Sequence, residues 1–473
     1  MIKENEQSTS QLVRTLKLRD LVLFHIVAVL GLRHLATSAE FGPGVLMIWL
    51  VAALFFFVPQ GLAVIELSSR FPNEGGIYFW TKRAFGEGHG FLCGWCYWVN
   101  NVLYYPNLLM STAAIATYII GKGESGLDQR WIYVLPVTLI ALWVAVALNV
   151  IGASTGKWLQ NAGGVGTYIP GIILILLGLY GAMTLPAANE MTAAKLIPDF
   201  GNISALNLLA TIAFAFAGME LVSTMGDEVD QPRRNLPLSV YVAAPLIALA
   251  YILGTGAVLW LVPPQTFDRV TGFMQAISAG ANHLGGWLWW IAPMCAALYT
   301  VGTIGGVGAW LVGPARIAFV IGLDRYFPPA FGSVHPRWRT PYVAIIVQGM
   351  LATVFLLLSV LGEGTEVKEV YLILLDTQLL IYFIPYIYLF IVFLLNLRLR
   401  EIQADVMLAP GGAVGGWAIG LSGLCLTLVA MILAMIPPPG TANPWLFRAK
   451  VIGGALGFIL IGGLIYLRAK SKK

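Results

Sequence analysis

About twelve runs of roughly 20 apolar residues follow one another along the chain, each long enough to cross a bilayer as a helix. Of the 473 residues, 58% are hydrophobic and 11% are charged, whereas a soluble domain carries about 25% charged residues. The composition predicts one all-α membrane domain with no separate soluble domain. We expect spans at 21–40, 45–69, 87–120, 131–151, 160–184, 205–225, 237–262, 287–321, 341–361, 369–396, 414–437 and 450–467.

The lysine and arginine residues between the spans predict the orientation. With the N-terminus in the cytoplasm, the loops on that side collect roughly twice as many basic residues as those on the other side, as the positive-inside rule requires. We therefore expect an integral plasma-membrane protein with both termini in the cytoplasm, of the kind found in bacterial inner membranes. The polar, basic segment 1–20 precedes the first apolar run and lacks the features of a cleavable signal peptide.

Two of the predicted spans carry signs of interruption. The sixth span places Gly218 and then Glu220 inside an apolar run, and the first span places Arg33 among apolar residues before the helix-breaking sequence Gly42-Pro43-Gly44. An ionisable group at membrane depth is costly and marks a protein-lined cavity. Interruptions at equivalent places, five spans apart, predict two inverted repeats with a binding site between them.

These patterns divide the chain into a cytoplasmic segment at 1–20, a first repeat at 21–184, a second repeat at 205–396, two further spans within 414–467 and a tail at 468–473. Nothing in the sequence predicts an enzyme. We expect no catalytic residues, no metal, no cofactor and no nucleic-acid partner, because the basic residues lie at span ends and the histidines lack metal-binding spacing. Cys93 and Cys96 lie in an apolar run without a redox-protein context, which favours two small packed side chains.

Four stretches, at 59–86, 214–237, 309–331 and 384–388, resemble the amino acid–polyamine–organocation transporter superfamily, and the third is most similar to the glutamate–GABA antiporter branch. The resemblance implies a five-plus-five inverted-repeat (LeuT-like) fold with interrupted helices 1 and 6. It also implies secondary active transport of an amino acid by alternating access, as an antiporter or a proton-coupled symporter. The alternative is a carrier of polyamines or other organic amines with the same fold.

By position in the family, Phe214 lies over the substrate and Ala217 and Gly218 belong to the unwound part of helix 6. Glu220 matches an acid that the arginine–agmatine antiporter carries. The family's Gly-Ser-Gly triplet in helix 1, whose bare N–H groups hold the substrate carboxylate, falls here on larger residues, which narrows the approach to the backbone. The lysine that some proton-driven members carry in helix 5 falls on Thr167. The substituted triplet residues are Ala28, Val29 and Leu30.

Further candidates surround this expected site. His25 and Ile26 lie beside the helix 1 triplet, Asn101 and Tyr104 share one face of the third span, and Asp376 and Gln378 lie in the tenth span. Two acids at one cavity, Glu220 and Asp376, favour a substrate that bears an amine. Glu220 and His25 are the candidates for proton coupling.

Arg33 has two possible roles, either as a ligand for a substrate carboxylate or as the partner of Glu40 in a structural ion pair, and we favour the ion pair. Another set of charges lies at the predicted cytoplasmic side and is expected to form an inner gate that opens as access alternates: Glu66, Arg70, Asp227, Glu228, Arg316 and Asp324. The sequence leaves open the substrate, the coupling ion and whether the protein is a monomer or a homodimer.

Overall fold

A computed structural model of the protein describes residue 12 and residues 14–123, 125–198, 203–263, 266–361, 366–398, 406–437 and 443–472. Within these ranges the regular elements are helices, and the one strand-type pairing is an isolated bridge between Leu16 and Val229. Eleven helices in the described residues are long and apolar enough to cross a membrane. These observations confirm the predicted all-α membrane fold.

In chain order the α-helices are α1 (Leu18–Val29), α2 (Arg33–Ala39), α3 (Val45–Ala52), α4 (Val58–Arg70), α5 (Ile77–Phe85), α6 (Glu87–Ala116), α7 (Trp131–Ile151), α8 (Ala153–Thr184), α9 (Ala193–Leu196), α10 (Ile203–Phe216), α11 (Pro232–Leu261), α12 (Gly272–Leu284), α13 (Ile291–Leu323), α14 (Tyr342–Leu361), α15 (Glu366–Arg398), α16 (Gly412–Ala434) and α17 (Pro444–Lys470). The second span is continuous, since a π-helical segment at Ala53–Phe57 joins α3 to α4. We call the end of the bundle that holds Leu18 and Lys470 the inner end, and the opposite end the outer end.

The first span is broken between α1 and α2, as the sequence predicts. Leu30 leaves the helical conformation, with ψ of 92°, and the chain resumes a helix at Arg33. Half of this span, α1, packs against α8, α11 and α13. The break therefore lies inside the bundle, where other helices can satisfy its backbone groups.

The sixth span is broken in the same way after α10. Its helix ends at Phe216, Gly218 adopts φ of +125°, and a 3₁₀ helix at Leu221–Glu228 completes the span. A Cβ atom on residue 218 would lie 3.1 Å from the Trp310 ring and 3.2 Å from Val29. Glycine at 218 thus permits both the backbone conformation and the close approach of the two breaks.

The third predicted span is the 30-residue helix α6, which corresponds to about 45 Å of helix. It is absent from the eleven apolar spans, and it carries two neighbouring asparagines, Asn100 and Asn101, which are both buried. Its polar residues thus face the protein rather than lipid. By contrast, α16 and α17 lie at the periphery and are largely exposed.

Candidate functional site

The two helix breaks meet at one central cavity. Its wall is formed by the break of the first span, the end of α10 and the facing sides of α6 and α13. Thr167 also lines it. Of the site residues expected from the sequence, the cavity is lined by Ala28, Val29, Leu30, Asn101, Tyr104, Phe214 and Ala217.

Four aromatic rings surround the cavity in edge-to-face pairs. The ring centroids of Tyr104 and Phe214 lie 5.7 Å apart, those of Phe214 and Tyr382 5.2 Å, and those of Trp310 and Tyr382 6.3 Å. Such pairs hold rings in fixed orientations, and their faces attract apolar groups and cations. The wall of the cavity can therefore contact both the apolar and the charged parts of a ligand.

Side chains satisfy much of the backbone at the break in the first span. The Tyr251 hydroxyl accepts a hydrogen bond from the Gly31 N–H at 3.0 Å and donates to the carbonyl of Val29. The Trp310 indole N–H donates to the carbonyl of Ala28 at 2.9 Å. These contacts fix the shape of the break and occupy polar backbone groups at its surface.

Two amide oxygens in the cavity wall have no hydrogen-bond partner among the described residues. They belong to Asn100 and Asn101, which are 2% and 0% exposed. Asn101 donates from its amide nitrogen to the Tyr97 carbonyl at 2.7 Å, which turns its oxygen away from that contact. An acceptor that is buried without a partner is unfavourable, so a ligand donor would stabilise both side chains.

Glu220 does not line the cavity, contrary to the expectation that it contacts a substrate directly. Its carboxylate is fully buried and accepts hydrogen bonds from the hydroxyls of Tyr97 and Tyr386 and from the amide of Gln60, each at 2.8 Å. The Tyr386 hydroxyl lies 3.0 Å from that of Tyr382, which faces the cavity. A hydrogen-bonded chain therefore links Glu220 to the cavity.

Three other expected site residues lie elsewhere. His25 and Ile26 are buried in α1 outside the cavity lining, and the His25 ring pairs with the Ser239 hydroxyl at 3.1 Å because its side of α1 faces α11. Gln378 lines a larger space nearer the outer end. The side chain of Asp376 lies outside the described residues, so the prediction for it stays a prediction.

This larger space is a vestibule, which shares Arg33, His34, Tyr104 and Phe214 with the cavity. The prediction that Arg33 forms an ion pair with Glu40 is wrong. Glu40 bonds to Arg269 at 2.7 Å, whereas Arg33 donates to the Tyr104 hydroxyl and to the Asn107 amide oxygen, because its side chain turns towards α6.

The inner end is closed by paired charges. Arg316 donates to Glu228 at 2.6 Å, Arg70 contacts Glu66 at 3.3 Å, and the Lys82 ammonium lies 2.6 Å from Asp324. The Arg316–Glu228 contact joins α13 to the end of the sixth span, and the Lys82–Asp324 contact joins α5 to the chain after α13. Arg70 and Glu66 both lie in α4. Of the remaining expected gate residues, Asp227 donates its backbone N–H to Glu74 at 3.0 Å.

Glu74 was not expected from the sequence and belongs to the same cluster. It lies in the loop before α5, 4.0 Å from Arg316. Burial and, after it, the neighbouring Glu228 carboxylate raise the pKa of Glu74, while Arg316 opposes the rise. Glu74 therefore favours its protonated form more strongly than an exposed glutamate.

Sequence reasoning also missed the residues that support the site from other spans. Gln60, Tyr97, Tyr382 and Tyr386 bind or reach Glu220, and Tyr251 and Trp310 hold the broken backbone. The sequence shows that these polar side chains lie inside apolar spans. It does not show which residue of another span each of them contacts. Cys93 and Cys96 are buried and not disulfide-bonded.

A family model described as amino acid permease matches residues 16–457 of the chain. An uncharacterized transporter of Legionella pneumophila is 30% identical over 95% of this chain and 96% of its own length. A probable agmatine/putrescine antiporter of Lactococcus lactis is 25% identical over 94% and 93% of the two chains. A glutamate/gamma-aminobutyrate antiporter of the same species is 23% identical over 83% and 78%.

A solved structure, the crystal structure of MhsT in complex with L-phenylalanine, matches this fold with a TM-score of 0.64. The match covers 92% of this chain and 98% of that chain at 15% sequence identity. At this identity the likeness shows the fold alone. It confirms the predicted inverted-repeat transporter architecture with broken first and sixth spans.

Proposed function

Because the chain belongs to the amino acid permease family, we propose that it carries an amino acid across the membrane by alternating access. The observation that supports this most is the position of the central cavity. It lies between two broken helices, continues into the outer vestibule and is separated from the inner end by ion pairs. A substrate would enter from the outer end in this conformation and leave after the inner contacts open.

The inner contacts provide a reversible closure. The Arg316–Glu228 pair links α13 to the sixth span, and the Lys82–Asp324 pair links α5 to the chain after α13. Inward opening would separate these elements and break both pairs. In the predicted orientation, with both termini in the cytoplasm of a bacterial inner membrane, this closure is the cytoplasmic gate.

Glu220 is the better placed of the two candidates for proton coupling. It bonds to α4, α6 and α15 through Gln60, Tyr97 and Tyr386, so its charge affects how three spans pack around the break in the sixth. His25 bonds only to Ser239 among the described residues and has no link to the cavity. We therefore assign the proton to Glu220, in exchange or in symport.

The test is counterflow in proteoliposomes. Vesicles are preloaded in turn with each unlabelled amino acid or amine and then given the same compound in labelled form outside. A transported amino acid raises labelled uptake transiently above its equilibrium level, whereas an amine alone giving counterflow would contradict the amino-acid assignment.

The proton assignment is tested in the same vesicles with the substitution Glu220→Gln. Since glutamine cannot ionise, we expect at least a tenfold loss of exchange or the loss of its pH dependence between pH 5 and 8. Glu40→Gln, at an exposed outer-end pair, is the matched control and should keep both the exchange rate and its pH dependence. A Glu220→Gln variant with the wild-type rate and pH profile would remove Glu220 from the coupling mechanism.

A further inference from the structure

The backbone at the first break has few free donors for a substrate carboxylate. The Gly31 N–H is bonded to Tyr251, the Leu30 N–H to the Ile26 carbonyl and the His34 N–H to the Gly31 carbonyl. Val29 and Leu30 add bulk beside these groups. Carboxylate capture at this break would then depend on a side chain.

Arg33 is a buried cation whose partners among the described residues are neutral. Its side chain is 7% exposed, and it donates to the Tyr104 hydroxyl and, at 3.4 Å, to the Asn107 amide oxygen. No ion pair joins it to a carboxylate among the described side chains. A guanidinium group has five N–H donors, so donors remain for an anion.

Arg33 also occupies the point where a ligand enters. It lines both the vestibule and the cavity, and its guanidinium carbon lies 5.1 Å from the centre of the Tyr104 ring. Burying a charge that lacks a counter-charge is unfavourable, and a bound carboxylate would supply that counter-charge with bidentate hydrogen bonds.

The acceptors Asn100 and Asn101 precede Tyr104 by about one turn of α6, or roughly 6 Å. Their unpartnered oxygens can accept hydrogen bonds from an ammonium group. The cavity thus presents a cation near the vestibule and neutral acceptors one turn deeper. This order matches the two charged groups of a zwitterion with its carboxylate directed outward.

We propose that Arg33 is the ligand for the substrate carboxylate and that it restricts the substrates to molecules that carry one. The proposal rests on the proposed function and adds the substrate class. Diamines lack the anion that would neutralise Arg33 and bring further positive charge beside it. They are therefore disfavoured at this site.

The experiment compares binding of carboxylate-deleted pairs to the purified full-length protein. The pairs are L-arginine with agmatine, L-phenylalanine with phenethylamine and L-alanine with ethylamine, measured by titration calorimetry. The wild type should bind at least one amino acid at least tenfold more tightly than its amine. No binding of any amino acid by the wild type would contradict the proposed function itself.

Arg33→Gln then tests the residue. We expect the dissociation constant for the bound amino acid to rise at least tenfold and that for the matching amine to stay within twofold or fall. Arg130→Gln, an exposed outer-end arginine that lines neither the cavity nor the vestibule, is the matched control and should leave both dissociation constants unchanged. Wild-type affinity of Arg33→Gln for the amino acid would overturn the proposal.

Arg33→Lys covers the case in which Arg33→Gln fails to fold. Lysine keeps the charge but loses the planar fork of donors, so the amino acid should bind threefold to tenfold more weakly. Unchanged amino-acid affinity in a monodisperse Arg33→Lys protein would contradict the role of the guanidinium.

Discussion

Arg33 in the outer half of the path and Arg316 in the inner half are both buried guanidinium groups, but their surroundings differ. Arg316 is bonded to Glu228 and lies near Glu74, so its charge is compensated by the protein. Arg33 has only neutral partners among the described residues and faces open space. The comparison indicates that the inner arginine holds the fold closed, whereas the outer arginine is available to a ligand.

Of the substitutions that test this comparison, Arg316→Gln is expected to lower the stability of the protein most. Removing the cation leaves Glu228 and Glu74 buried together without compensation, and breaking a buried pair in this way costs about 3–5 kcal/mol. The apparent melting temperature of the detergent-purified protein should fall accordingly. Melting at the wild-type temperature would show that the pair does not hold the inner end closed.

Gly218→Ala tests the close approach of the two helix breaks, which lie between the outer and inner halves of the path. Alanine at φ of +125° is strained, and its Cβ would press on Trp310 and Val29, which together cost about 1–3 kcal/mol. Transport should fall because the two breaks no longer meet with the same geometry. Gly256→Ala, where an added Cβ meets nothing within 4 Å, is the control. Equal transport by both variants would contradict the required close approach.

A smaller change in the apparent melting temperature is expected from the titration of Glu74. Because burial raises this pKa above its ordinary 4.5, the neutral form favours the folded protein. The associated stability is complete below pH 4.5 and is lost as pH rises through the raised value. The apparent melting temperature of the wild type should therefore fall more between pH 5 and 8 than that of Glu74→Gln. Equal falls in both proteins would remove Glu74 from the pH response of the inner cluster.

The smallest change in stability is expected for Arg269→Gln. Arg269 pairs with Glu40 at the outer end, but its side chain is 73% exposed. Exposed pairs contribute about 0–1 kcal/mol. Thermal unfolding should therefore barely distinguish this variant from the wild type. A loss as large as that of Arg316→Gln would erase the distinction between the outer and inner charges.

The sequence predicted the fold well because span length and apolar composition are local properties. Gly218 and Glu220 in an apolar run indicated the break in the sixth span, which the structure contains. The site was predicted less completely because side-chain direction depends on packing between distant spans. Glu220 turns towards Tyr97 and Tyr386 rather than the cavity.

The first span shows the same limit. His25 and Arg33 both interrupt its apolar pattern, and the sequence alone did not reveal that His25 meets Ser239 or that Arg33 turns from Glu40 towards Tyr104. Each partner lies on another helix, more than 60 residues away along the chain in every case. Only the packed bundle determines which of the two faces open space.

The most direct test of alternating access is cysteine labelling at the two ends in one set of proteoliposomes. Thr211→Cys reports on the vestibule and Thr224→Cys on the inner side of the sixth span, each in a background with Cys93, Cys96, Cys295 and Cys425 replaced by serine. Without ligand, a thiol reagent should modify the Thr211→Cys variant and spare the Thr224→Cys variant. A saturating transported amino acid should slow the first reaction and speed the second, whereas labelling that rises or falls together at both positions would contradict alternating access.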